Sequence, residues 1–575
     1  MKNWIPEVFE VFTDGISSAL EPEIILDSQL AWGTNVKLRG GKPSTRQPLV
    51  QRLELPDGQL QGSSCFSIQN GMLIISIAGK IYRIDVNGRT FEQSQIAADL
   101  INSSAKKHVW MCETAGSLII QDDETDAIIY DGSIARRPDR SIPEVPLGRQ
   151  SAYGNGRLWT VINDNEVVAG DIKTSAKQSE LVHIETGYLF GGGAFYFPRK
   201  ISGVAFIPTA SGQGQGGLLV FGKFYAEVVR ADITSRDLWD SYPGFVSSAL
   251  LGVGAAGQDS IVEVNQDLYW RDSEGGIRSF TAALRDQNSA GNVPLSDDVR
   301  RITEKESKHL LEYCSAIAFG NRLLMTASPY RNKSGGVSFR DIIALDFTPL
   351  AARGGKVQPA YDGQWNGIGF AKLLTGEFAG VKRAFAISSD KDGKNRLWEF
   401  VDNERDDASF AGKSPIKSSI EFKRRNFSAP HVRKKLVRCD VYLEDIEGPV
   451  TLEVYWRVDN DPVWQKWDSI SVEAKMTYPV EMPMKLRLLS AQHRPQIRTF
   501  TASGDFDPIT KRARHVGVDF QIRLVWTGKL KIFRTVIWAD FDVGQDAVAN
   551  RQEFTSTPVF QDVTSAEKPY SVPTI

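Results

Sequence analysis

Between Asn70 and Phe400 the chain states one loose phrase seven times. Each unit has a turn with Asn or Gly, an apolar strand, a polar turn, and a second strand ending near Asp. The first runs Asn70-Gly-Met-Leu-Ile-Ile-Ser76 and then Lys80-Ile-Tyr-Arg-Ile-Asp85. The others pair 115–121 with 127–131, 154–161 with 166–171, 216–221 with 226–229, 265–270 with 276–280, 320–326 with 342–346, and 382–388 with 395–400. Successive units start about 40 to 60 residues apart, the spacing of propeller blades. A blade hides its two faces against its neighbours, so such a pattern makes sense as a closed ring. The expectation is an all-β chain with a β-propeller of about six or seven blades over residues 66–402. A single sandwich of strands is the alternative, but sandwiches seldom repeat a whole hairpin at this period.

The flanks read differently. Residues 1–65 lack periodicity, and Gly40, Gly41, Pro43, Pro48 and Pro56 punctuate them, which suggests an extended N-terminal arm leading into a sheet. Within the repeat region, 296–313 reads as a surface helix. Ser296 would be its N-cap, and Val299, Ile302, Leu310 and Leu311 its apolar stripe. Residues 403–543 open with a basic, turn-rich linker and continue as long alternating strands at 437–443, 451–458, 518–526 and 529–541. This is the two-residue period of half-buried antiparallel strands, and it predicts a C-terminal β-sandwich. Residues 544–575 read as a tail or an exchanged strand.

With 68 basic and 70 acidic side chains the formal charge is -2, which excludes a wholly basic nucleic-acid binder. Cys65, Cys112, Cys314 and Cys439 stand far apart without a CxxC pair, as expected of buried thiols in a reducing compartment. The six histidines are equally scattered, so no zinc site assembles from the sequence. The start, Met1-Lys-Asn-Trp-Ile-Pro-Glu7, lacks an apolar signal core, and no apolar run is long enough to span a bilayer.

Enzymatic signatures are also missing. There is no GxSxG elbow, and Gly212-Gln-Gly-Gln-Gly-Gly217 matches neither a P-loop nor a dinucleotide fingerprint. Asp122-Asp-Glu-Thr-Asp126 and Asp390-Lys-Asp-Gly-Lys-Asn395 offer calcium-type oxygens, but both read more simply as hairpin turns capped by Asp. Trp159, Trp270, Trp398, Trp456, Trp526 and Trp538 sit in strand patterns and read as core. The reading is therefore of a non-enzyme with no cofactor and no metal. The unusual charge feature is Lys423, Arg424 and Arg425 with Arg433, Lys434, Lys435 and Arg438. Between Lys413 and Arg438 nine basic residues face only Glu421, a candidate contact surface for an acidic partner or for phosphates. A basic strand edge that blocks unwanted pairing is the plainer alternative.

Several stretches resemble the tail nozzle (tail hub, tail tubular B-type) proteins of short-tailed bacteriophages. They are Asn35-Val-Lys-Leu-Arg-Gly-Gly41 with Thr45-Arg46, and Ser279-Phe-Thr-Ala-Ala-Leu-Arg-Asp286 leading to Gly291-Asn-Val-Pro-Leu-Ser296. Phe319-Gly-Asn-Arg-Leu-Leu-Met-Thr326, Ile343-Ala-Leu-Asp-Phe347 and Trp365-Asn-Gly367 complete the set. The resemblance extends over about 30–545 and rests on structural turns rather than catalytic signatures. It implies a virion subunit, folded in the bacterial cytoplasm, that forms a homohexameric ring below the portal and the tail adaptor proteins. Such a ring would enclose the channel for passing double-stranded DNA, carry fibres or spikes outside, and act on no small-molecule substrate. Either terminal segment could cross to a neighbour by strand addition. A tail-associated propeller that binds carbohydrate or a receptor is the competing reading, since exposed Trp and Tyr could stack on sugar rings.

Overall fold

A computed structural model of the chain describes residues 4–68, 71–105, 107–173, 179–184, 193–207, 216–230, 239, 246–287, 294–348, 359–459, 461–473, 496–501 and 516–541. The fold is all-β in character: a propeller-like ring of small sheets joined to one large, curled sheet.

Five small antiparallel sheets follow one another along the chain. Sheet 1 holds Leu60–Phe66, Met72–Ile77, Lys80–Asn87 and Thr90–Gln95. Sheet 2 runs from Trp110–Glu113 to Ala135–Arg136, sheet 3 from Ser151–Gly154 to Ala194–Tyr196, and sheet 4 from Ile201–Phe206 to Val246–Leu251. Sheet 5 has three strands, Val262–Val264, Asp267–Arg271 and Ile277–Ser279.

Why these hairpins read as unbroken apolar runs is visible in the packing. Every residue of Met72–Ile77 is buried. Because side chains alternate across a strand, Met72 and Ile74 pack toward sheet 2 with Leu118 and Ile120. Leu73, Ile75 and Ile77 pack the other way, against Leu374, Phe385 and Ile387. Sheet 4 repeats the device: Leu218 and Val220 face sheet 3, while Leu219 and Phe221 face Trp270 of sheet 5. A sheet covered on both faces needs no polar alternation.

The large sheet supplies the rest of the ring. Ala316–Phe319, Arg322–Arg331 and Val337–Asp346 pair in series with the first half of Ala360–Phe378. The second half of that strand pairs onward with Val381–Ser389, then Asn395–Phe400, then Leu49–Glu54. First strands of successive sheets touch, sheet 4 reaching sheet 5 through the turn Gln258–Ser260, and Ala360–Phe378 returns to Leu60–Phe66. The ring is closed.

Beyond the ring, Lys434–Val458 and Phe520–Asp540 pair along their lengths, with register shifts around 436–438, 442–451 that bend the ribbon. Trp4–Phe9, Lys417–Glu421, Gln465–Glu473 and Gln496–Thr501 flank it. Trp32–Thr34 ties this curl to the ring through an antiparallel pairing with Lys417–Glu421 and a parallel bridge from Thr34 to Gln364. One continuous core runs through both parts.

Four expectations need correction. Residues 4–54 are not an arm: Trp4–Phe9 pairs within the same chain with Phe520–Asp540, and Leu49–Glu54 is an outer strand of the ring. Phe12, Ile16, Leu30 and Val36 are core residues, so apolar burial outweighed the turn-rich composition. The ring's first strand starts at Leu60 rather than residue 66. The region 296–313 is not one helix but Leu295–Val299 (3-10), Arg300–Thr303 (α) and Lys308–Tyr313 (3-10). Ser296 caps nothing there; its hydroxyl accepts from the Ile277 N–H. A separate helix, Phe280–Gln287, lies just upstream. Finally, the four C-terminal strands expected for a sandwich merge into the two long bent ones, hydrogen-bonded in a single sheet. The tail 544–575 and most of Gly212–Gly217 lie outside the described residues. No described helix is long and apolar enough to cross a membrane.

Candidate functional site

Two places gather polar side chains from distant parts of the chain. The first is the junction between ring and curl. Arg46 is 2% exposed, and its guanidinium donates five hydrogen bonds. They go to Asn35 Oδ1 (2.9 Å), Gln47 O (2.7 Å), Asn366 O (2.7 Å), and Asp407 Oδ1 and Oδ2 (3.0 and 2.6 Å). That exhausts its donors. Asn35, at a positive φ of 54°, accepts from the Asn366 N–H (2.7 Å) and donates to Asn366 Oδ1 (2.7 Å) and Lys417 O (2.9 Å). Gly367 is required beside it: φ is +138°, and a Cβ would lie 2.9 Å from Arg46 Nη2. Trp365 Nε1 donates to Val36 O (2.8 Å).

The network continues into the ring. Arg39 forks onto Asp346 (2.8 and 2.7 Å) and donates to Gly320 O (2.7 Å). Arg322 Nε donates to Asp362 Oδ2 (2.6 Å), and Asp362 Oδ1 accepts from the Leu38 N–H (2.9 Å). Burial pushes Asp362 above the usual carboxylate range despite Arg322. Burial also works to raise Asp346, but the Arg39 hydrogen bond and Arg322 prevail and hold it low. Thus 35–41, 45–46, 319–326, 343–347 and 365–367, scattered in sequence, meet in one lock, beside a cavity of about 420 Å³. Only the stretch 279–296 stands apart from it.

The second place is a cup on one face of the ring. It is walled by the connections that enter the first strands of sheets 2 to 5, and by the turns inside sheets 2 and 4. These segments share a face because antiparallel strands return every second loop to the same side. The cavity measures about 720 Å³. Lys107, Arg149, Arg199, Lys200 and Lys223 line it, against Asp123 and Glu312. Trp110, Phe224, Tyr225 and Tyr313 supply its aromatic surface.

Next to the cup, groups from remote parts of the ring meet. Asp259 lies 3.2 Å from His108 Nε2 and is ion-paired with Lys372. The His108 ring stacks on Trp110 at 4.7 Å. Burial works to raise Asp259, but Lys372 and then His108 outweigh it and hold the carboxyl well below its usual range. His108 precedes sheet 2, Asp259 precedes sheet 5, and Lys372 lies on Ala360–Phe378, so this knot bridges the ring's interior.

The predicted basic patch is not a free surface throughout. Lys423 and Arg425 each contact Asp27 at 2.9 Å, Arg424 pairs with Glu23, and Arg438 holds Asp440 at 2.7 Å. Lys434 is buried and donates to the carbonyls of Ala429, Val432 and Val518. Arg433 and Lys435 do not share those partners. The neutralising acids lie about 400 residues away in sequence, which is why charge counting near 423 missed them. Asp122 accepts from the N–H groups of Glu124 and Thr125, and Asp390 from those of Asp392 and Lys394, so both acidic runs are hairpin turns. Among the described residues no cluster of three or more His, Cys, Asp or Glu could hold a metal. Burial pushes the thiols of all four cysteines up, Cys112 to about 12. Neither the lock nor the cup was named from sequence; isolated polar residues inside apolar stretches, such as Arg46 and Asp362, were the available signal.

No protein-family model and no curated protein matches this sequence. Among solved structures, the chain is similar to a chain of the mitotic checkpoint complex (10% identity, 62% of this chain and 95% of that one, TM-score 0.36). It is also similar to BBS1N in complex with ARL6DN (9%, 62% and 99%, TM-score 0.36) and to BamB from Moraxella catarrhalis (13%, 62% and 99%, TM-score 0.32). At these scores the similarities carry no statement about what this chain does.

Proposed function

We propose that the chain is a structural subunit of a phage tail nozzle, built on a seven-bladed propeller. The blades would be the five small sheets plus two sectors of the large sheet, split where Ala360–Phe378 changes partners near Phe370. The observation that supports the role is the lock. Most stretches that resemble the nozzle family converge on the joint between ring and curl, so the resemblance describes a mechanical joint rather than a reaction centre.

In this reading the DNA channel lies between subunits, because the His108–Asp259–Lys372 knot bridges the interior of each ring. Ring closure by copies of one chain needs two different complementary patches. One candidate is the N-terminal segment, where Ile5, Val8, Val11, Leu20, Ile24 and Leu26 are each 42–64% exposed. Electron cryo-microscopy of particles carrying this chain tests the role. The expected map shows six-fold density for the chain below the portal; density at fibre tips or none in the tail would overturn it.

A further inference from the structure

We infer that the cup on the ring face is a binding site for an acidic saccharide of one or two rings. The inference stands on the cup alone and survives or fails independently of the nozzle reading.

The cup's cations differ in kind. Arg149 and Lys200 are already committed to Asp164, at 2.7 and 2.9 Å. Lys107, Arg199 and Lys223 are exposed, and no carboxylate pairs with them among the described residues. They are available to an anion. Around them the wall carries polar atoms that are buried and unused. Gln150 is 6% exposed and its Oε1 has no hydrogen-bond partner; Arg149 is 5% exposed and its Nε has none either. A buried acceptor left open costs about 1–3 kcal/mol unless something donates to it. A ligand hydroxyl reaches the Gln150 acceptor once that side chain rotates toward the cup, and a ligand carboxylate or phosphate satisfies the open cations.

The third element is a flat apolar surface. Phe224 stands 47% exposed on the turn between Leu218–Gly222 and Tyr225–Val229. The Tyr225 hydroxyl is turned away to donate to Arg199 O (2.7 Å), which fixes the base of the Arg199 side chain beside that ring. An aromatic face, an open acceptor in the wall and a small excess of cations together describe a charged sugar. Asp123 and Glu312 on the same lining oppose a continuous phosphate chain, which disfavours nucleic acid. The volume, about 720 Å³, is of the size that holds a small ligand rather than a folded domain.

The test uses the full chain on an array of acidic saccharides and their neutral counterparts. Calorimetry with digalacturonate against galactobiose follows, with ATP and hexaglutamate as competing anions. The expected result is retention of acidic saccharides over neutral ones, and weakening of about tenfold or more in the Arg199→Ala, Lys223→Ala double variant. Both side chains are exposed and unpaired, so circular dichroism of that variant should match the parent. A Lys391→Ala variant, outside the cup lining, should bind as the parent does. Retention of no acidic saccharide, equal binding of neutral ones, tighter binding of ATP or hexaglutamate, or an unaffected double variant would each overturn the inference.

Discussion

Arg46 places all five of its N–H donors on acceptors of four residues, Asn35, Gln47, Asn366 and Asp407, at 2% exposure. Its removal would strand Asp407 and the Asn366 carbonyl. Arg46→Ala should therefore lower unfolding free energy by about 3–5 kcal/mol, and Arg46→Lys should not restore it, because an ammonium lacks the planar fork. Urea denaturation of the two variants checks this. The Asp259 knot makes a different prediction. Its carboxyl is held below the ordinary range in the folded chain, so its contribution is present above the unfolded carboxylate pKa and is lost as pH falls through the folded value. Stability should drop as pH falls below about 4, and Asp259→Asn should flatten that part of the profile while lowering stability at neutral pH. A thermal-shift series across pH reads both.

At the scale of elements, the seven hairpins were legible because each lies in a sheet buried on both faces, six of them as its central pair. Arg322–Arg331 with Val337–Asp346 and Val381–Ser389 with Asn395–Phe400 follow the same rule inside the large sheet. The first strands were not legible. Leu60–Phe66 reads Leu-Gln-Gly-Ser-Ser-Cys-Phe, since strands crowded at the ring's centre need small residues; a Cβ at Gly62 would lie 2.1 Å from Val109 O. The N-terminal segment misled for another reason. Its strands pair with partners hundreds of residues away, and local periodicity carries no trace of them. Trp4–Phe9 borders Phe520–Asp540, and Phe9 packs on Phe422 at 4.5 Å. Deleting residues 1–12 should therefore destabilise the isolated chain, by about 3 kcal/mol or more for the loss of two buried Phe side chains. Chemical denaturation of the truncated chain measures it; unchanged stability would restore the idea of an arm that serves only a neighbour.

At the scale of the whole molecule, ring and curl share one core and one polar lock, so the chain should move as a single body under load. The lock was readable only as a resemblance, because its members are single polar residues whose meaning is their meeting in space. The cup was not readable at all, since its lining comes from loops between units. The proposed nozzle role predicts that assembly depends on exposed apolar residues of the N-terminal segment. Val8→Asp with Ile24→Asp, both at exposed positions, should leave the chain's melting temperature within a few degrees while reducing its incorporation into particles. Western blotting of purified particles against cell lysate checks this. The most direct measurement of the central claim is copy number per DNA-filled particle, by quantitative mass spectrometry against the capsid protein. The account predicts about six copies, the number that the nozzle resemblance implies for a closed ring of one chain. Three copies, a fibre-like multiple, or absence from particles would contradict it.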